Sequence, residues 1–337
     1  MFAERRLRRS SLGGTGELPT IHTVLIIFHV VRPSPDDHRA SLLSLLPAGN
    51  LSVTFRAVPR LYDAHQHFHF DSLTPHRAAI AADLARVGLQ RAVVNGTNEE
   101  EWPIIEELAA KYRWILPSYG VHPWDCGNRS SNWLVTLRSH LANDPHAAIG
   151  EIGLDRWIID GIKPDDPRIA GLRVASLHEQ AEVFTEQLEL AAEFNRAATI
   201  HCVQAWGKLL EILKATSRPA RGFLLHGYSG PAEMIKHFTD LGAYYSFNIQ
   251  LLEARHAERM NNFHHIPAQR LLVETDAPAK PPVPESNRFP LPAASDGSAS
   301  NHPANIAVTY DALAEIRGIP IETLATQVER NFRQLFG

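Results

Sequence analysis

Short apolar runs alternate with segments of helical periodicity along the chain from Leu61 onward. The runs have the length of buried strands and are separated by polar and turn-forming residues. The pattern predicts eight strands, at residues 61–67, 92–97, 115–121, 147–152, 197–201, 222–226, 243–247 and 270–274.

Helical periodicity fills most of the intervals between these strands. The clearest helix is predicted at residues 177–194, where Ala181, Phe184 and Leu188 recur on one face. Further helices are predicted at residues 76–87, 102–111, 205–215, 231–241, 305–318 and 321–336.

Eight strands that alternate with helices predict an α/β fold, a (β/α)8 TIM barrel, whose chemistry lies at the C-terminal rim of the strands. A doubly wound open sheet is the alternative, but it would carry a Gly-rich phosphate loop after its first strand. The first strand here ends in histidines instead. The Pro-rich residues 277–293 follow the last strand and are predicted to form a loop over the barrel mouth.

The first 60 residues lack this alternation. They begin with a cluster of arginines and contain an apolar run at residues 24–31, which is too short to span a bilayer. No small-x-small cleavage site of a signal peptide follows the run. We therefore expect a poorly ordered N-terminal extension over residues 1–60, a single barrel domain over residues 61–337, and no membrane association.

Composition narrows the function classes. The 337 residues carry a net charge of −4, which offers no broad basic field for tight, nonspecific binding to long nucleic acid. Two cysteines, Cys126 and Cys202, are too few for a disulfide framework, so a reduced, cytoplasmic location is expected. Histidine is frequent, at 18 residues, and it is the commonest metal ligand.

Six residues that can bind a divalent metal stand at the ends of predicted strands. His65 and His67 occupy alternate positions of the first strand, so their imidazoles point the same way and can share one ion. Glu151 ends the fourth strand with a glycine on either side, and its carboxylate has two oxygens that can bridge two ions.

The other three candidate ligands come from later strands. His201 and His226 end the fifth and sixth strands, whose ends lie about 5 Å apart in a barrel. Asp276 ends the eighth strand, and closure of the barrel brings it beside the first. Nitrogen and carboxylate ligands suit Zn, Mn, Fe, Ni or Co. Six ligands exceed the needs of one tetrahedral ion, so two divalent ions about 3.5–4 Å apart and metal-assisted hydrolysis are predicted.

Seven segments, taken in order, resemble the TatD family of metal-dependent deoxyribonucleases. They are Asp-x-His-x-His at 63–67, Gly-Val-His-Pro at 120–123, Gly-Glu-Ile-Gly-Leu-Asp at 150–155, His-Gly-Tyr-Ser-Gly at 226–230, Glu-Thr-Asp-Ala-Pro at 274–278, Asn-x-Pro-Ala-Asn at 301–305 and Asn-Phe-Arg-Gln-Leu-Phe at 331–336. The resemblance implies a TIM barrel of the amidohydrolase superfamily with two divalent ions, Mg, Mn or Zn. It also implies hydrolysis of phosphodiester bonds at DNA ends, as in a 3′-5′ exodeoxyribonuclease.

The resemblance also implies a role for each matching residue. It implies two ligand sets. One ion would be bound by His65, His67, Glu151 and Asp276, and the other by Glu151, His201 and His226. Glu151 and Asp276 would be the catalytic carboxylates, with Asp276 accepting the proton of the attacking water. His122 resembles a family histidine that reaches the substrate phosphate.

Two positions beside the ligands depart from the family pattern. Residues 203–204 are Val-Gln where many relatives carry an Arg and an acidic residue, and Arg156-Trp157 stand where a Tyr is usual. Arg156 and Lys280 are candidate contacts for phosphate, and Trp124, Trp157 and Trp206 are candidates to stack on a base. We expect a monomer or weak oligomer that acts on DNA ends. A metal-dependent hydrolase of a small-molecule ester, lactone, amide or phosphoester is the alternative.

Overall fold

The computed structural model describes residues 58–293 and 297–337, which belong to one compact unit. The predicted extension over residues 1–60 lies outside the described residues except for its last three, and it stays a prediction. Within the described ranges, no helix is long and apolar enough to cross a membrane.

Eight parallel strands form one sheet in which each strand pairs with the next along the chain. They are β1 Leu61–Gln66, β2 Leu89–Asn95, β3 Ile115–Tyr119, β4 Ala148–Asp155, β5 Ala198–Val203, β6 Phe223–Leu225, β7 Ala243–Phe247 and β8 Leu271–Val273. The predicted (β/α)8 barrel is therefore confirmed, and the doubly wound sheet is excluded by this strand order.

The barrel closes through residues at and beyond the ends of its first and last strands. The amide of Asp276 donates to His65 O at 2.9 Å, and the amide of His67 donates to Ala277 O at 2.7 Å. These bonds satisfy backbone groups that would otherwise form open sheet edges. Asp276 is thereby placed beside the two histidines of β1, as closure of an eight-stranded barrel predicts.

Ten α-helices lie in the described part of the chain. They are α1 Arg77–Val87, α2 Trp102–Lys111, α3 Trp133–Asn143, α4 Trp157–Asp160, α5 Leu177–Phe194, α6 Trp206–Ala215, α7 Met234–Asp240, α8 Ala257–His265, α9 Ile306–Arg317 and α10 Ile321–Phe336. The seven predicted helices correspond to seven of these, with ends that differ by up to three residues. The long helix α5 buries the predicted apolar face, including Phe184 and Leu188.

Helices α3, α4 and α8 were not predicted from the sequence. Helix α3 buries Trp133, Leu137 and Leu141 at a spacing of four, which is a helical signal. Helix α8 buries Asn262 and Phe263 and is otherwise mostly polar, so no set of apolar residues marks it in the sequence. Helix α4 is a single turn of four residues, too short to show a period.

Two of the strands that carry candidate ligands contain a bulge. Over residues 63–66, β1 advances by three residues while β2 advances by two. Over residues 149–152, β4 does the same against β5. A bulge re-aims the side chains near it, and these two lie at His65 and Glu151. The local irregularity therefore sets where both side chains point.

Candidate metal centre

The six residues predicted as metal ligands converge at the C-terminal rim of the barrel. Their ligand atoms form three overlapping groups in which all atoms lie within 4.8 Å of one another: His65, Glu151 and His226; His65, His67 and Asp276; and His122, Glu151 and His201. The structure thus brings together residues from five different strands, and it adds His122 to them.

The first ligand cluster consists of His65, His67 and Asp276 with one oxygen of Glu151. The two Nε2 atoms of the histidines lie 3.1 Å apart, and each lies 3.4 Å from Glu151 Oε2. Asp276 Oδ1 lies 3.7 Å from His65 Nε2 and 3.6 Å from His67 Nε2. Atoms bound to one ion at about 2.0–2.2 Å are separated by about 3.0–3.6 Å. The first ligand cluster therefore has the dimensions of one coordination shell.

The second ligand cluster consists of His201 and His226 with the other oxygen of Glu151. Glu151 Oε1 lies 2.8 Å from His201 Nδ1 and 2.8 Å from His226 Nε2. The two histidine nitrogens are 3.2 Å apart. The two oxygens of one buried carboxylate therefore face two different histidine pairs, which is the arrangement that a bridging ligand requires.

In two of these histidines, an oxygen atom lies beside the ring nitrogen that faces away from the centre, which we call the far nitrogen. His67 Nδ1 donates to Asn95 O at 2.8 Å, and His201 Nε2 lies 3.3 Å from Asp155 Oδ2. An acceptor at the far nitrogen keeps the proton there, so the nitrogen that faces the centre is free to bind metal. Both imidazoles are thus oriented and protonated as metal ligands are.

Glu274 faces the corresponding nitrogen of His226 from beyond hydrogen-bond distance, and it was not singled out from the sequence. Its Oε1 lies 3.6 Å from His226 Nδ1 and accepts a hydrogen bond from Asn248 Nδ2 at 3.1 Å. Its other oxygen accepts from the hydroxyl of Ser246. Its signal in the sequence was its place directly after the apolar run of β8, at the end of the strands where the other candidate ligands stand.

The charges in the centre compensate one another. Burial alone would raise the pKa of Glu151, but the facing imidazoles of His226, His122 and His65 hold it well below its usual range. Burial opposes protonation of His67, yet hydrogen bonds with Asp276 and Glu151 raise its pKa to about 10. The carboxylates thus stay ionised, and positive charge is favoured between them.

His122 differs from the other histidines in the nitrogen that carries its proton. The amide of Trp124 donates to His122 Nδ1 at 3.2 Å, so the proton of the neutral imidazole lies on Nε2. Burial lowers the pKa of His122, which favours this neutral form. Nε2 lies 3.5 Å from Glu151 Oε1. His122 is therefore built as an N–H donor beside the second ligand cluster.

Two tryptophans stack beside the second ligand cluster. The rings of Trp124 and Trp157 lie 6.2 Å apart with an angle of 26° between their planes. The indole Nε1 of Trp124 donates to Asp155 Oδ2 at 2.7 Å, and this oxygen also faces His201. The aromatic pair is thereby tied to a candidate metal ligand through one carboxylate.

Arg156, a candidate phosphate contact, is paired with a carboxylate of its own helical turn. Its Nε forms an ion pair with Asp160 Oδ2 at 2.7 Å, and its side chain is 57% exposed. The guanidinium of Arg168 lies 5.1 Å from the ring centre of Trp157 and is itself paired with Asp166. A role of Arg156 in substrate binding stays a prediction.

Gly150 supplies the space in which Glu151 is placed. A Cβ atom at Gly150 would lie 2.7 Å from Thr199 Cβ, 2.8 Å from Asn95 Oδ1 and 2.9 Å from Ser118 Oγ. Real Cβ atoms do not approach other atoms this closely, so a larger residue would displace the neighbouring strands. The glycine before Glu151 is thus required by packing.

Known proteins are similar to this chain in sequence and in architecture. The model of the family described as TatD related DNase matches residues 62–337. A protein of Klebsiella pneumoniae named 3′-5′ ssDNA/RNA exonuclease TatD is 30% identical over 260 residues, which cover 77% of this chain and 90% of that protein. A protein of Escherichia coli named uncharacterized metal-dependent hydrolase YjjV is 27% identical over 279 residues, or 82% of this chain and 98% of that protein.

The solved structures agree. The crystal structure of YjjV, described as a TatD homolog from Escherichia coli, superposes with a TM-score of 0.69 at 27% sequence identity, over 83% of this chain and 98% of that chain. The resemblance drawn from the seven motifs and the predicted class of metal-dependent hydrolase are both confirmed. The chain belongs to the TatD family and is a metal-dependent hydrolase of that family.

Proposed function

We propose that the protein binds two divalent ions, Mg, Mn or Zn, and hydrolyses phosphodiester bonds at the 3′ ends of DNA. One ion is held by His65, His67 and Asp276, the other by His201 and His226, and Glu151 bridges the two. The placement of the two Glu151 oxygens against two separate histidine pairs carries this proposal. When bound, such a pair of ions activates water and stabilises negative charge on the phosphate.

Asp276 is the proposed acceptor for the proton of the attacking water. Its Oδ1 faces the first ligand cluster, and its amide is fixed by the bond to His65 O. The backbone of Asp276 adopts a left-handed φ of 55°, which is uncommon for a residue other than glycine. This conformation lets the chain turn at the rim while the carboxylate stays in the centre.

His122 is the proposed donor to the phosphate of the substrate. Its Nε2 proton is fixed by the hydrogen bond from Trp124 to Nδ1. A neutral imidazole that donates through Nε2 can bind a phosphate oxygen without adding positive charge to a site that already holds two ions.

The paired rings of Trp124 and Trp157 are the proposed platform for the terminal base. Stacking of bases on aromatic side chains tolerates any sequence and suits an enzyme that removes successive nucleotides. Nucleic acid also fits the name of the relative in Klebsiella pneumoniae. We retain the cytoplasm as the expected location and a monomer or weak oligomer as the expected state.

Hydrolysis of a small ester, lactone, amide or phosphoester is the second candidate function. The arginines near the centre favour a small substrate, because Arg156 forms an ion pair with Asp160 and Arg168 forms one with Asp166. A long nucleic acid would gain from unpaired cations along its backbone, whereas a small substrate needs only the metal centre.

A nuclease assay distinguishes the two functions. Purified protein reconstituted with Mg²⁺ or Mn²⁺ is mixed with single-stranded DNA labelled at its 5′ end, and the products are resolved by length. We expect progressive shortening, which stops on a matched strand with phosphorothioate linkages at its 3′ end. Intact DNA together with turnover of a small phosphodiester or ester would establish the second candidate instead.

A further inference from the structure

We infer that Asn95 is a positioning residue that fixes both histidines of β1 for metal binding, an inference that rests on the metal centre proposed above. Asn95 is the last residue of β2 and is fully buried. Its main-chain oxygen accepts from His67 Nδ1 at 2.8 Å. Its side-chain amide lies 3.1 Å from His65 Nδ1. One residue of the neighbouring strand therefore contacts the far nitrogen of each histidine.

The ring nitrogen that faces away from the centre has a similar environment in three of the four histidines of the two ligand clusters, and His65 is the exception. The far nitrogens of the other three face the oxygen of a main-chain carbonyl or a carboxylate. The oxygens at His67 and His201 hold a proton on the far nitrogen and leave the near nitrogen free for a metal, and Glu274 Oε1 favours the same tautomer of His226 from 3.6 Å. His65 Nε2 is the near nitrogen of the fourth, so its Nδ1 needs an acceptor as well.

The orientation of the Asn95 amide decides whether His65 Nδ1 faces an acceptor, as the far nitrogens of the other three histidines do. If Nδ2 points to His65, the ring accepts at Nδ1 and carries its proton on Nε2, which then donates to His67 Nε2 at 3.1 Å where a metal would bind. That orientation also leaves Asn95 Oδ1 buried without a hydrogen-bond partner. The opposite orientation, with Oδ1 toward His65, supplies the acceptor and removes the orphaned oxygen.

The residues around the Asn95 amide are compatible with the reversed orientation. The Oδ1 position and the side chain of Thr199 both border the space left by Gly150. Thr199 Oγ1 is buried and has no hydrogen-bond partner. With the amide reversed, Nδ2 takes the Oδ1 position at this space, which the side chain of Thr199 also borders. The bond of 3.4 Å from Nδ2 to Val93 O is the one contact given up.

Loss of the acceptor should act on the first ligand cluster. Without Oδ1, His65 can place its proton on Nε2, where it competes with the ion for the same lone pair. Partners of this kind contribute about 10- to 100-fold to metal affinity. Asn95→Asp keeps an acceptor of the same shape, whereas Asn95→Leu keeps the shape and removes it.

The experiment measures Zn²⁺ binding to wild type, Asn95→Asp and Asn95→Leu by competition with a chelator, together with ¹H–¹⁵N spectra of the histidine rings in zinc-loaded protein. We expect Asn95→Leu to bind one of its two ions about 10- to 100-fold more weakly and to lose the hydrogen-bonded Nδ1 proton of His65. Asn95→Asp should retain both the affinity and that proton. Asn331→Leu is the matched control, because Asn331 is equally buried but bonds to Ala268 O and Leu271 O, before and at the start of β8.

Two outcomes would overturn the inference, and a third would overturn the metal centre on which it rests. Zinc affinity in Asn95→Leu equal to that of wild type would remove the positioning role and leave the metal centre standing. A loss of zinc affinity of about 10- to 100-fold in Asn95→Asp would show that the amide donates to His65, and this outcome can be measured even if Asn95→Leu does not fold. Absence of zinc binding by the wild type would instead defeat the proposed metal centre.

Discussion

The Nε2 atoms of His65 and His67 face each other at 3.1 Å inside the barrel rim. Both side chains are buried, so water does not screen the two rings from each other. Two imidazole nitrogens at this distance are stable only with a cation or a shared proton between them and the carboxylates. The fold therefore holds two histidines in a place where a metal ion removes a repulsion.

Metal should accordingly stabilise the folded protein. We expect Zn²⁺ or Mn²⁺ to raise the melting temperature of chelator-treated protein, since a ligand at 100 times its Kd adds about 2.7 kcal/mol to the free energy of unfolding. The rise should be much smaller in His67→Ala. His178→Ala, in which an 86% exposed histidine of α5 is removed, should behave as wild type. An equal rise in His67→Ala would contradict the assignment of the first ligand cluster.

The Trp124–Trp157 stack should act on nucleic acid substrates alone. Trp157→Ala is expected to raise KM for single-stranded DNA by about 5- to 150-fold, the equivalent of about 1–3 kcal/mol of base stacking. Turnover of bis(p-nitrophenyl) phosphate, which has no base, should change little. Steady-state kinetics on both substrates test this, and an equal loss on both would mean that Trp157 supports the centre itself.

Gly150 offers a test of the packing beneath Glu151. Gly150→Ala should lower the free energy of unfolding by about 1–3 kcal/mol, because the new Cβ meets Thr199, Asn95 and Ser118. Gly207→Ala is the matched control, since Gly207 lies in α6 and a Cβ there meets nothing within 4 Å. It should stabilise the protein by up to about 1 kcal/mol. Chemical denaturation measures both, and equal effects would contradict the packing account.

Asp125 should give the stability a dependence on pH. Burial and the charge of Glu101 raise its pKa from 3.8 to about 7. Between these values the folded protein binds a proton that the unfolded chain releases, so the contribution of this carboxyl to stability falls as the pH rises. Asp125→Asn should therefore gain stability relative to wild type from pH 5 to 8, by at most about 1.4 kcal/mol per pH unit. A constant difference across this range would refute the shift.

The sequence was sufficient to predict the barrel and the positions of the candidate ligands. Alternation of apolar runs with helices gave all eight strands, because parallel strands are buried on both faces and stand out as apolar runs. Asp276 could be placed beside His65 only through closure of the barrel, which eight strands imply. Helix α8 escaped prediction since its sequence is mostly polar and buries one apolar residue, Phe263.

The residues that orient the ligands could not be predicted in the same way. Asn95 and Glu274 contact histidines that are distant in the sequence, and these contacts depend on strand register. The bulge at His65 shifts the register between β1 and β2 by one residue, which alternation along a strand does not reveal. Trp124 reaches His201 only through Asp155, a relation that belongs to loop geometry.

The central claim is that Glu151 bridges two ions, and the metal content of Glu151→Gln tests it most directly. Glutamine keeps the shape of the side chain but replaces one anionic oxygen with a donor that cannot bind a cation. Elemental analysis of protein equilibrated with Zn²⁺ should find two ions per chain in wild type and fewer in Glu151→Gln, with nuclease activity reduced by more than about 100-fold. Two ions and undiminished activity in Glu151→Gln would contradict the account.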